Sequence, residues 1–117
     1  MGCLRGRPSR AVRGAPLRFR SGRFADLIER QLGLFAEDAA ALLREAAEAE
    51  AAYDAAERDE AEELYGDYLL VCEAGADALA SLRETYAATL EGDAAGDYRE
   101  AFDRAAVKRF PQFALDL

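Results

Sequence analysis

The side chains in this 117-residue chain that could carry chemistry are carboxylates, tyrosines, arginines and two cysteines; there is no histidine. Facing helices can hold two metal ions through Glu and Glu-x-x-His ligands, and without histidine that pattern cannot be met. Cys3 and Cys72 belong to no CxxC pair, so they offer no zinc site either. An all-carboxylate site would have to use Glu73, which stands beside Leu70, Val71 and Cys72, together with Glu45 or Glu48. Acids are so seldom buried that a solvated face is the better reading of these three. Tyr53, Tyr65, Tyr68, Tyr86 and Tyr98 fall at core spacing with nothing to pair with for acid or radical work, and read as packing residues with hydroxyls at the rim. There is no Gly-rich phosphate loop, no Ser/His/Asp set and no Cys/His pair. The sequence therefore assigns no catalytic, cofactor-binding or metal-binding residue, and the expectation is a protein that binds rather than catalyses.

Charge is the next most specific signal. The formal net charge of -8 conceals two opposed halves. Residues 1–23 hold Arg5, Arg7, Arg10, Arg13, Arg18, Arg20 and Arg23 and no acid. This arginine, glycine and proline mixture buries too little apolar surface to offset its ordering entropy, so a disordered tail is expected. Its functional reading is an arm for nucleic acid or another polyanion, whose binding would weaken steeply with salt. A tail lying against the acidic body of its own chain is a further reading. Scarcity of lysine, asparagine and isoleucine beside abundant arginine and alanine suits a GC-rich, bacterial gene. No apolar run approaches the 18 or so residues of a membrane span, and no secretory leader is legible at the N-terminus. A cytoplasmic protein with no membrane partner is expected.

Two apolar stripes must organise the rest. Ile28, Leu32, Phe35, Ala39, Leu42, Ala46, Ala49, Tyr53 and Ala56 recur at alternating steps of four and three. Tyr65, Tyr68, Cys72, Gly75, Leu79, Leu82 and Tyr86 do the same. That spacing is a helix seam, not a strand. The reading is an all-α fold: two long antiparallel helices forming a hairpin, about 23–55 and 60–91, and a shorter third helix, about 94–110. Ser21 is the expected cap of the first helix. The turn is expected between Asp54 and Asp59, with Asp59 and Glu62 as a capping-box-like pair. One uninterrupted helix of roughly 100 Å is the alternative. Gly92 should close the second helix, Asp93 should cap the third, and Pro111 should end it.

The residues flanking the seams rank the possible associations. Acids crowd the first stripe, nine against Arg58 between 45 and 63, so a parallel homodimer along it would set acid against acid. The second helix is apolar over a band too wide for one neighbour, which makes it the centre of a three-helix bundle. The third helix is too short to wall the whole hairpin. The uncovered half is then filled by the apolar segment 111–117 with Phe110, by a second copy or by another protein. Tyr68, Cys72, Gly75, Leu79, Leu82 and Tyr86 are the candidate helix–helix interface. The leading expectation is a structural or adaptor module that associates with a protein partner or with itself; the alternative is a nucleic-acid-associated or regulatory factor using the arginine arm.

Overall fold

The computed structural model describes residues 22–114, and the described chain is all-helical. The arginines Arg5 to Arg20, Cys3, the expected Ser21 cap, Leu115 and Leu117 lie outside the described residues. Four helices follow one another: α1 (Ala25–Asp38), α2 (Ala40–Asp54), α3 (Arg58–Ala87) and α4 (Asp93–Arg109).

The single first helix expected over 23–55 is two helices. Helical geometry lapses at Ala39, where φ is -102° and ψ is 24°. The hydrogen-bond ladder bridges the lapse, with the Ala39 N–H donating to Phe35 O at 2.8 Å and the Leu43 N–H to Ala39 O at 2.9 Å. Neither glycine nor proline stands there; Gly33, the local weak point expected from the sequence, lies within α1. Packing explains the position. α2 lies mainly on α3, whereas α1 lies mainly on α4. Phe35 at the end of α1 meets Phe110 and Phe113 edge-on, with ring centroids 5.2 and 6.3 Å away. The chain thus serves two neighbours from one apolar stripe and breaks between them.

α2 and α3 are joined by residues 55–57, and the hairpin turn falls inside the interval the sequence indicated. Its chemistry differs from the expectation. Glu57, not Asp59, is the N-cap of α3, and no side chain caps it. Asp59 and Glu60 sit in the first turn instead, where carboxylates favour the positive end of the helix dipole. α3 stops at Ala87, earlier than expected, and the Thr89 hydroxyl donates to the freed Tyr86 carbonyl at 2.7 Å. Gly92 does not close α3. It is the N-cap of α4 at φ +59° and ψ -138°, a conformation open to glycine and costly for residues with a Cβ. Asp93 consequently begins α4 rather than capping it, while Lys108 and Arg109 occupy its last turn.

The core sits at one end of the hairpin. Ile28, Leu32 and Phe35 of α1, Leu79 and Ala87 of α3, and Tyr98, Phe102 and Ala106 of α4 are its buried members. After α4, Pro111 starts a tight turn in which the Phe113 N–H donates to Phe110 O at 3.0 Å. That turn returns a fully buried Phe113 onto α3. Its ring lies against Gly75 so closely that a Cβ there would overlap it. The apolar C-terminal segment folds back, as far as it is described, and the small residue beneath it is what lets it seat.

Candidate interaction surface

The six residues of the second stripe face inward in this structure. Cys72, Gly75 and Leu79 are buried, and Tyr68, Leu82 and Tyr86 are half-buried. Gly75 receives Phe113, and Tyr86 packs on Tyr98 with ring centroids 4.8 Å apart. From Cys72 onward the stripe is therefore a seam within the chain, filled by α4 and the returning C-terminal segment. The surface open to others lies elsewhere.

That surface is the outer half of the hairpin. Between residues 47 and 71 no residue is buried, because α1, α4 and Phe113 all gather at the other end. The seam residues weaken outward along both helices: Ala46 is buried, Ala49 is half-buried and Tyr53 is 38% exposed. Tyr65 is 45% exposed and tilts against Tyr53 across the hairpin, centroids 5.2 Å apart. Leu70, at 65%, is the most exposed large apolar side chain among the described residues. The sequence placed both tyrosines in the core and gave Leu70 no role. The mismatch in helix lengths was the signal that this half would lack a third wall.

Nine carboxylates ring the same stretch with Arg58 as its lone base, and all nine are exposed. None makes an ion pair with another described residue. At the base of this arm the Tyr68 phenol is pushed up to about 12, first by its hydrogen bond with Cys72 one turn on, then by burial and the nearby Glu50 charge. Glu45, Glu48 and Glu73, the conceivable metal-binding carboxylates, are exposed, and no three metal-capable side chains converge among the described residues.

The opposite end carries the ion pairs. Arg99 clasps Glu84 through Nε and Nη2 at 3.0 and 2.9 Å, joining α4 to α3. Arg83 donates to Asp103 Oδ1 at 2.8 Å across the same pair of helices. Those two arginines, Arg99 first, hold the Glu84 carboxyl below its ordinary range. The Tyr98 hydroxyl donates to Gln31 Oε1 at 2.8 Å and ties α4 to α1; burial raises its pKa. A groove of about 840 Å³ runs along the outside of the α1/α4 contact, floored by Ile28, Leu32, Ala101 and Ala105 with Lys108 and Arg109 beside it. It follows from α1 crossing to α4, which the sequence did not disclose.

Of the arginine arm only Arg23 is described, and its guanidinium lies over the Phe24 ring, 5.0 Å from the centroid. No helix among the described residues is long and apolar enough to cross a membrane. No family model, curated protein or solved structure matches this chain.

Proposed function

We propose that the chain is a structural or adaptor module that acts by helix–helix association with protein, a partner or a second copy, and that the outer half of the α2–α3 hairpin is its contact surface. The observation that carries this is the absence of any buried residue between 47 and 71, where Tyr53, Tyr65 and Leu70 present apolar area to solvent. A two-helix arm with no third wall gains by burying such area against another helix. The composition favours a cytoplasmic setting for such a module.

Light scattering coupled to size exclusion tests it on the full chain at about 1 M salt, where charge contacts are screened beyond roughly 3 Å. The mass is expected to rise with concentration, and Leu70→Asp to hold it at the monomer value while leaving helicity unchanged. A monomer at every concentration would refute association with itself as the role of this surface.

The second reading, a polyanion-binding factor, rests on the seven arginines without an acid in residues 1–23. Fluorescence anisotropy against a duplex oligonucleotide decides it. Binding at low salt that is lost when these arginines become glutamine supports the reading, and equal, negligible binding by both proteins removes it.

A further inference from the structure

We infer that the arginine-rich segment of one copy docks on the acidic hairpin arm of a second copy, so that two chains exchange these contacts reciprocally. This deepens the association reading above by naming an occupant for the arm. Three separate observations carry it: an unpartnered pair of helices, opposed charge, and the place where the segment enters the fold.

The arm offers nine exposed carboxylates against Arg58 on two helices, along about 20 Å of α3. Like charges on so short an arm repel one another, and a cationic ligand relieves that repulsion as well as binding. The segment before Gly22 carries Arg5, Arg7, Arg10, Arg13, Arg18 and Arg20 and no acid. Arginine suits this surface because its guanidinium forks onto carboxylates and stacks on aromatic rings. Tyr53 and Tyr65 expose such rings among the acids, and Leu17 and Phe19 of the segment bring apolar area to the same surface.

Topology decides between the chain's own arm and a neighbour's. The segment enters the fold beside Phe24, whose ring packs on Tyr98 at 5.4 Å, and Tyr98 packs in turn on Tyr86 near the end of α3. The acids flank the start of α3. From Tyr86 back to Glu63 is roughly 35 Å at the helical rise. A coil of 21 residues has a root-mean-square span of about 25 Å, so the arginines nearest Gly22 fall short of their own arm. A second copy lying alongside in the reverse direction removes that constraint. It brings each segment to the other's arm and closes under two-fold symmetry, with no free site left to propagate.

The test is light scattering coupled to size exclusion on the full chain, from about 0.05 M salt to about 1 M, across which charge contacts become screened. Two variants are needed: one with Arg5, Arg7, Arg10, Arg13, Arg18 and Arg20 changed to glutamine, and one carrying Glu60→Gln, Glu62→Gln and Glu63→Gln. The expected results are a dimer at low salt that falls to monomer mass at high salt, and monomers from each variant alone. Mixing the two variants restores a species of twice the monomer mass, because one supplies an intact arm and the other an intact segment. Far-UV circular dichroism shows that both variants keep their helices. A wild-type monomer at low salt overturns the inference, including one that binds a duplex oligonucleotide through the same arginines. A dimer unaffected by loss of the arginines overturns it too. Loss of the low-salt dimer with Leu70-dependent association intact at high salt would defeat this inference alone.

Discussion

Replacing Gly75 by alanine sets two known effects against each other at one atom. In a solvent-exposed helix interior, glycine to alanine stabilises by about 1 kcal/mol, and Gly66 is the control: it lies in α3, is exposed, and has open space where a Cβ would stand. At Gly75 the same Cβ overlaps the face of the Phe113 ring, which is 0% exposed. If the ring is expelled, the loss approaches that of a buried Phe→Ala change, about 3–5 kcal/mol, less the helix gain of about 1. If the segment shifts to admit the methyl group, overpacking costs about 1–3 kcal/mol against the same gain. The expected net effect is a destabilisation of about 1–4 kcal/mol for Gly75→Ala and a stabilisation of up to about 1 kcal/mol for Gly66→Ala. Urea unfolding followed by circular dichroism resolves both, and about 4–8 °C in Tm per kcal/mol gives a second reading. Phe113→Ala supplies the cycle: in its background Gly75→Ala becomes neutral or stabilising, a coupling of at least about 1 kcal/mol. Equal stabilisation by both glycine substitutions would refute the seating of Phe113 on α3.

The remaining predictions concern polar contacts. Tyr98→Phe removes the hydrogen bond to Gln31 and is expected to lower stability by about 0.5–1.5 kcal/mol in urea titrations, since the ring keeps its packing on Phe24, Tyr86 and Phe102. Glu84 has a lowered folded pKa, so its contribution is present above the unfolded value of about 4.5 and lost as pH falls through the folded one. Glu84→Gln should flatten that part of an acid stability profile, and an unchanged profile would rule the clasp out as its cause. Tyr68 has the opposite sign. Its neutral phenol is favoured up to about 12, so its contribution is present below about 10 and is lost between about 10 and 12. Phenolate absorbance should show one late-ionising tyrosine that disappears in Tyr68→Phe. A Tyr68→Phe titration identical to wild type would exclude Tyr68 as that group.

Helical class was legible because it depends on side-chain spacing, which the chain carries locally: steps of three and four from Ile28 to Ala46 and from Tyr68 to Leu82 admit only helices. Helix ends were read less well. Asp59 and Asp93 have the chemistry of caps, yet the chain caps with Glu57 and Gly92, because neighbouring packing and a turn at φ +59° fix where each helix begins. The break at Ala39 was not legible. Nothing local opposes helix there, and only the competing claims of α3 on α2 and α4 on α1 divide the stripe. The same holds for the surface. Tyr53, Tyr65 and Leu70 look on paper like the buried Phe35, Cys72 and Leu79. The sequence by itself determined the charges, the helical stripes and the shortage of a third wall. The tertiary structure decided which half of the hairpin goes uncovered, because burial depends on what stands opposite a residue, and in this chain Phe113, α1 and α4 all stand at one end.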